Sequence, residues 1–509
     1  MNITEILQKT AQRLPDKMAF YFDDQGTTYK DLQNLAESCA LGLQRIGVKK
    51  GDRVAIFAPS SLEFIIAWFG AVRLGAVVIP VNIMLKARES KYILENAEVH
   101  TLIVHQSQVD MVNSFRSSLP FLKNSVVVGK QPPAGSRGFT DLISGRPSRA
   151  MMVACAPNDT ATMIYTSGTT GFPKGAMITH ANLYSNVQGI IEALHLDENM
   201  IRVSVTPLFH AMGLTVNMLA VTTLGATAII QAKLDFEEFL KANEKYRATM
   251  ISGAPALHYL LAYDPRTEKY DLSSWKVAMS GSAALPVEIL KKFEEKFKIP
   301  MIEAYGLTEV TTAATANPFS GVRKPGSVGL PLRDLEVKIF DDQDRDVPVG
   351  EVGEIVIRGP AVMKGYYNNP QATAETLRGG WLHTGDLGKM DEDGYVYILD
   401  RKKDMIICSG YNVYPREIEE LLHTHPAVLE AAVIGIPDPK RGESPMAFII
   451  PRPGAKVTEP ELIQFCRDNL AAYKAIKAVK FVEEFPRNPN RKVLKRELRE
   501  MVAASEEKG

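Results

Sequence analysis

Residues 53–81 read RVAIFAPSSLEFIIAWFGAVRLGAVVIPV, and this stretch decides the fold. RVAIFA is a short apolar run, and Pro59 to Ser61 can open a helix. Leu62 to Leu74 carries the helix as far as Gly75, and AVVIPV returns as a second strand. The pattern predicts a strand–helix–strand unit with parallel strands. A second unit starts at KVAMSGSAALP, where a strand around Val277 meets a loop of small residues. Pro286 opens a helix that runs through Phe297, and PMIEAYG begins the next strand. Residues 1–330 are therefore expected to be α/β, with two sheets of this type. From Asp334 to Asp400 the pattern changes to short strands such as LEVKIF and EIVIRG between turn-rich segments, which predicts a distorted antiparallel β-barrel. Past RKKD, short strands (AAVIGI, MAFIIP, KFVEEF) interleave with helices starting near Pro415 and Glu459. The expected organisation is a large N-terminal domain over 1–400, a hinge at 401–404 and a small mobile α+β domain over 405–509.

The 509 residues suffice for about three domain-sized units with ordinary cores. Hydrophobic residues make up 45% and charged residues 23%, the balance of a globular protein rather than a disordered or fibrous one. The 59 basic and 59 acidic side chains cancel, which removes the general attraction that nucleic acid needs, so no nucleic-acid partner is expected. Cys39, Cys155, Cys408 and Cys466 are scattered, without the spacing of a zinc site or a disulfide framework, and a reducing, cytoplasmic setting follows. The N-terminus reads as a short amphipathic helix interrupted by Glu5, not as a secretion signal. Ala211 to Ala232 is uncharged but dotted with polar residues, and it predicts a buried helix followed by a strand rather than a membrane span. Peripheral membrane contact and a choice between monomer and homodimer stay open.

The chemistry concentrates in a few motifs. In Tyr165-Thr-Ser-Gly-Thr-Thr-Gly-Phe-Pro-Lys-Gly175 the glycines permit close backbone approach, and hydroxyls plus a lysine offer donors to phosphate oxygens. This is not a Walker A loop, because Pro173 and Gly175 flank the lysine where Gly and Ser or Thr would be needed. In YGLTE (305–309) an aromatic plane, a hydroxyl and a carboxylate fall within five residues at a strand end, where ligands sit in α/β sheets. Asp386 in HTGDLG is a carboxylate after a turn, suited to accepting two ribose hydroxyls. His210, in PLFHAMG, sits among apolar residues and implies no Ser/His/Asp triad.

YTSGTTGFPKG resembles the phosphate-binding signature of the adenylate-forming enzymes, the superfamily of acyl-CoA synthetases, carrier-protein adenylation domains and luciferases. SGSAALP (280–286), YGLTE (305–309), WLHTGDLG (381–388), DRKKDMI (400–406) and PRNPNRKVLKREL (486–498) follow in that family's order and cover most of the chain. FDDQGTTYKDL, VMKGYYNNPQAT and DRKKDMIICSGYNVYPREIEE look most like bacterial medium- and long-chain fatty-acid CoA ligases. The resemblance implies ATP, Mg²⁺ and CoA as ligands, and a carboxylic acid activated as acyl-AMP before transfer to the CoA thiol.

It also implies roles. Thr166, Ser167, Gly168, Thr169, Thr170, Gly171 and Lys174 would cradle phosphate, with Gly281, Ser282, Ala283 and Gly306 along the nucleotide. Tyr305 would stack on adenine, Thr308 would bond the α-phosphate, and Glu309 with Thr166 would hold Mg²⁺. Asp386 and Arg401 would meet the ribose, Lys403 would be the hinge residue, and Lys492 the catalytic cation. The family usually places Gly immediately before that lysine, whereas this chain has Arg491. His210, Met212, Gly281 and Gly329 would line the acid pocket, whose apolar wall suits an alkyl or aryl acid. Ser409, Gly410 and Tyr411 would face CoA, with Arg441 on one of its phosphates, and Cys408 would be buried. An aromatic-acid CoA ligase, a carrier-protein acyl-AMP ligase, a luciferase-like oxygenase and a catalytically silent nucleotide-binding protein of the same fold remain alternatives at this level.

Overall fold

The computed structural model describes residues 2–129, 132, 136–144, 152–166, 173–487 and 493–506, with side chains up to 502. Arg53–Phe57 and Val77–Pro80 pair in parallel, Arg53 opposite Val77, with the helix Leu62–Arg73 between them. Ser61 caps that helix by accepting a hydrogen bond from Phe64 N at 3.2 Å. All residues from Phe64 to Arg73 are buried, as a helix sandwiched between layers requires. Arg73, the helix's one cation, is neutralised by Glu37 at 2.8 Å.

That unit belongs to an eight-stranded sheet. Its strand order is 365–366, 174–179, 160–166, 77–80, 53–57, 101–105, 124–128, 137–138. The second predicted unit belongs to a nine-stranded sheet ordered 330–331, 315–316, 301–305, 277–280, 250–253, 201–204, 227–230, 18–22, 25–28. Here Val277–Ser280 and Met301–Tyr305 run parallel, with the helix Val287–Phe297 between them. The two sheets enclose one apolar core with the helices Tyr29–Arg45, Leu62–Arg73 and His180–Ala193, and Phe20, Trp68, Leu183, Met250 and Ile302 all belong to it. A separate cluster with Phe239, Leu261 and Phe293 covers the far face of the nine-stranded sheet.

The antiparallel piece read from 334–400 is a four-stranded sheet ordered 336–340, 353–358, 382–390, 396–401, and its two edge strands are not paired with each other among the described residues. The α+β piece follows as a five-stranded sheet built on the long hairpin Val428–Asp438 and Gly442–Pro451. The helices Pro415–His423 and Glu459–Asn469 cover one face of that sheet, and Leu498 and Val502 of the last helix close the other.

The uncharged stretch does form buried helix and then strand, Gly213–Ala220 and Val221–Leu224 followed by Thr227–Ile230, but its first turns are a π-helix. No helix among the described residues is long and apolar enough to cross a membrane. The N-terminal helix Glu5–Arg13 buries Ile6 and Leu7 as expected, and all four cysteines are buried with no disulfide among the described residues.

Burial also sets the pH dependence of stability. His180, His210 and His258 are each pushed down to about 4 from 6.5 by burial, and His180 Nδ1 accepts from Ile3 N at 3.1 Å, which keeps that ring neutral. Glu303 runs the other way, pushed up to about 7 from 4.5 by burial. The histidine contributions are present above 6.5 and lost as pH falls toward 4, while that of Glu303 is present below 4.5 and lost as pH rises through 7. Between those limits the lowered histidines outnumber the raised carboxyls, so stability should fall as pH falls from 6.5 toward 4.5. Urea melts at neutral and mildly acidic pH check this, and an unchanged midpoint would contradict it.

Candidate active site

The site forms where strands of both large sheets end. The strand Thr160–Thr166 turns back as Lys174–Thr179, with Thr166 opposite Lys174, so the two ends of the glycine-rich loop are pinned side by side. Residues 167–171 lie outside the described residues, and with them Ser167, Gly168, Thr169, Thr170 and Gly171. The loop's near end meets YGLTE directly: Thr166 Oγ1 lies 3.5 Å from Glu309 Oε1, and the same carboxylate oxygen accepts from Tyr366 OH at 2.7 Å. Lys174 Nζ sits 5.2 Å from the centre of the Tyr366 ring.

Tight backbone geometry presents Glu309. A Cβ at Gly306 would lie 1.9 Å from Thr312 O, so only glycine lets the chain fold back there. Thr308–Val310 is a single 3₁₀ turn, and Thr311 follows at φ 70°, ψ −54° with Thr312 N bonded to Val310 O at 2.8 Å. That is a γ-turn on a β-branched residue, a costly conformation of the kind concentrated at functional sites. Thr311 Oγ1 holds it in place through Ala361 O at 2.7 Å.

Tyr305, at the end of its strand, donates from its hydroxyl to Asp386 Oδ2 at 2.6 Å. Asp386 Oδ1 faces Arg401 Nε at 3.1 Å, and the two residues are register partners on neighbouring strands. Burial holds the Tyr305 hydroxyl well above its ordinary range, and the Asp386 carboxylate adds to that. Burial opposes the charge on Arg401, but Asp386, Tyr305, Asp404 and Glu309 together outweigh it and hold the guanidinium above its ordinary range.

The loop after Val277–Ser280 reaches the same region. Ser282 adopts φ 71° and its Oγ approaches Met212 Sδ at 3.9 Å, which brings PLFHAMG against SGSAALP. Ser282 and Ala283 are exposed. Gly281, Ala304, Ala316 and Gly329 lie side by side across adjoining strands. A Cβ on Gly281 would sit 3.4 Å from Ala304 O, Ala304 pairs with Ala316, and a Cβ on Gly329 would strike Ala316 C at 2.0 Å. His210, two residues before Met212, is half-buried, its amide bonded to Pro207 O at 3.0 Å.

The residues expected to face CoA form a second group. Ser409 and Gly410, both at positive φ (53° and 82°), make a two-residue hairpin between Ile406–Cys408 and Tyr411–Val413. Ser409 N bonds Arg441 O at 2.7 Å, which brings Arg441 to this turn, and Cys408 is fully buried. Exposed Tyr411 stacks on Tyr473 with ring centres 4.8 Å apart. No hydrogen bond or ion pair among the described residues joins this turn to Tyr305, Glu309 or Asp386. Lys492 lies outside the described residues.

Two neighbours of the site escaped sequence reasoning. Tyr366 holds Glu309, and the only signal was the aromatic pair in GYYNNP. Glu303 is buried two residues before Tyr305, and its Oε1 accepts from Leu285 N at 3.3 Å in the SGSAALP loop.

Hydroxyls, a carboxylate and a carboxylate–arginine pair thus converge at the carboxyl ends of strands, where α/β proteins hold small polar ligands. The comparisons give the family. The AMP-binding enzyme family matches residues 7–367, and the AMP-binding enzyme C-terminal domain matches 417–492; the chain belongs to this family. A long-chain-fatty-acid–CoA ligase of Bacillus subtilis (strain 168) is 38% identical over 98% of this chain and 94% of its own length. The crystal structure of the anthranilate CoA ligase AuaEII in complex with anthranoyl-AMP superposes with a TM-score of 0.93 at 31% identity, over 99% of this chain and 98% of that one. MatB from Rhodopseudomonas palustris is 32% identical over 98% of this chain and 99% of its own, with a TM-score of 0.91 in its ATP-bound form and 0.81 in its apo form. The present arrangement is therefore nearer to the ATP-bound form of that protein.

Proposed function

We propose that this enzyme activates a carboxylic acid, a fatty acid by its relatives, through attack on the α-phosphate of ATP. Acyl-AMP forms with release of pyrophosphate, and the acyl group then passes to the CoA thiol. The observation that carries this reading is the meeting of Thr166, at the rim of the glycine-rich loop, with Glu309, beside the Tyr305–Asp386–Arg401 network. An anhydride of a carboxylic acid with AMP needs two anions held together and water kept out, and no covalent enzyme intermediate.

In this reading the loop 167–171 and Lys174 hold the phosphates, Tyr305 lies against adenine, and Asp386 with Arg401 engages the ribose. The donors fit Mg²⁺: a hydroxyl and a carboxylate oxygen are hard ligands, and the ion typically takes only one or two from the protein when substrate phosphates supply others. Bound there, it would neutralise phosphate charge as pyrophosphate leaves. Glu309 is fixed for this by Tyr366. Tyr366→Phe should therefore raise the KM for Mg-ATP roughly fivefold to tenfold with a smaller change in kcat; an unchanged Mg-ATP saturation curve would remove Tyr366 from the site.

The domain division at 401–404 belongs to the same proposal, with residues 1–400 binding the nucleotide and 405–509 turning about Lys403. Arg401 and Lys402 are tied to the large lobe, through Asp386 and through Gly385 O, while Asp404 bonds Arg499 of the last helix at 2.8 Å. Lys403 therefore separates contacts that belong to different lobes. Rotation would break Arg416 Nη1 to Ile398 O (2.8 Å) and the Arg452–Glu288 pair (3.8 Å). The Ser409–Gly410 turn and Tyr411 would then take the place of Lys492 at the cleft, and Arg441 would meet CoA. We place the enzyme in the cytoplasm, where ATP and CoA are both at hand. An aromatic acid is the second reading, favoured by the fit to the anthranilate CoA ligase.

A panel of fatty, aromatic and amino acids with Mg-ATP, each with and without CoA, tests the reading through AMP and pyrophosphate release. ADP in place of AMP would overturn it, and light in place of thioester would point to the oxygenase alternative.

A further inference from the structure

Among the described residues Arg202 has no anionic partner. It lies in the strand Ile201–Ser204, wholly buried, and no carboxylate pairs with it among the described residues. Nη1 donates to Val216 O at 3.2 Å and Nη2 to Ser252 Oγ, while Nε donates to nothing. Burial alone pushes this guanidinium down to about 9, still charged at neutral pH. A buried cation without a counter-ion is strongly unfavourable, and proteins almost always pair one.

The surroundings repeat the pattern. Ser204, two residues along the same strand and on the same face, is buried with its hydroxyl unpartnered. Asn217 donates to Thr206 O at 3.3 Å, but its Oδ1 is unpartnered and buried. Val216 and Asn217 belong to the π-helix Gly213–Ala220, a local distortion frequent at functional sites. These polar side chains interrupt an otherwise apolar core, whose nearby members are Ala228, Met250 and Met279.

Their position relates them to the acid. Met212, just before the π-helix, touches Ser282, and Val216, which holds Arg202, follows one turn later. Arg202 is thus tied through Val216 to the helix that begins beside Met212, a residue expected to line the acid pocket.

We propose that Arg202 and Ser204 receive a second anionic group at the far end of the acid, so that the preferred substrate is a dicarboxylic acid activated at one end. This rests on the acyl-adenylate reading and sharpens its substrate class. The planar guanidinium fork, completed by Nε–H, and the Ser204 hydroxyl are the donors that a carboxylate takes. The open Asn217 oxygen accepts from a water carried in with that group. A plain alkyl chain would leave all three unsatisfied.

The test compares succinate, adipate and suberate with butyrate, hexanoate and octanoate in pyrophosphate release, for the wild type, Arg202→Met, Arg202→Lys and Ser204→Ala. The wild type should favour the diacid at the best length by about a hundredfold in kcat/KM. Arg202→Met should erase that ratio, Arg202→Lys retain part of it, and Ser204→Ala lower it about tenfold. Exchanging an unpaired buried cation for an apolar chain of similar length is often neutral for folding, and a thermal melt of each variant checks it. A wild type that prefers the monoacid at every length, or a ratio unchanged in both Arg202→Met and Ser204→Ala, overturns the proposal. If no acid of either kind releases pyrophosphate, the acyl-adenylate reading itself fails.

Discussion

Replacing Lys492 by alanine should lower acyl-adenylate formation by about a thousandfold, and should leave thioester formation from supplied acyl-AMP far less affected. The first figure is that for removing one preorganised donor from a developing negative charge, about 3–4 kcal/mol of the barrier. The asymmetry follows from the chemistry. Negative charge builds between carboxylate and α-phosphate only as pyrophosphate departs, and an ammonium group on a flexible stem can follow it. The thiol's attack on the anhydride carbonyl expels AMP and calls on other groups. Arg487 and Val493, which flank Lys492 in the chain, pair as an antiparallel bridge. Stopped-flow pyrophosphate release and single-turnover thioester formation measure the two half-reactions, and equal losses in both would refute the division of labour.

Lys403→Pro should do the reverse. Proline fixes φ at its own position and drives Lys402 out of the helical region, and neither change is compatible with free rotation between Lys402, bonded to Gly385 O, and Asp404, bonded to Arg499. With the lobes held as they stand, near the ATP-bound arrangement of MatB, the second half-reaction should slow by about a hundredfold, far more than the first. An unchanged second step would remove the hinge from 401–404. The pair of variants separates a lost charge from a lost motion, because the step each impairs is the step the other largely spares.

The sequence disclosed the strand–helix–strand units because their apolar runs are continuous and their ends are punctuated by Ser61, Gly75 and Pro286. It disclosed the glycine-rich loop, YGLTE and Asp386 because each motif is short and local. The contacts that join them were hidden. Tyr366 reaches Glu309 across 57 residues of chain, and no periodicity forecasts such a pairing. The π-helix at 213–220 was read as an ordinary buried helix, since an uncharged run carries no polar face to reveal the period. Arg202 sits in a strand whose neighbours Ile201 and Val203 are apolar, and only the three-dimensional neighbourhood shows that its charge has no anionic partner among the described residues. The acid pocket was expected to have an apolar wall, and the buried polar side chains of Arg202, Ser204 and Asn217 were not singled out.

The central claim, one nucleotide gripped by the large lobe and served in turn by two faces of the small one, is tested most directly by a quenched single turnover. Wild-type enzyme in excess over ATP labelled at the α-phosphate is mixed with acid and Mg²⁺ in the absence of CoA, then chased with CoA. The account predicts that label first accumulates as enzyme-bound acyl-AMP, with one equivalent of pyrophosphate, and passes to AMP only when the thiol is added, in step with thioester. Label appearing as ADP, or thioester forming with no bound acyl-AMP before it, would contradict the account.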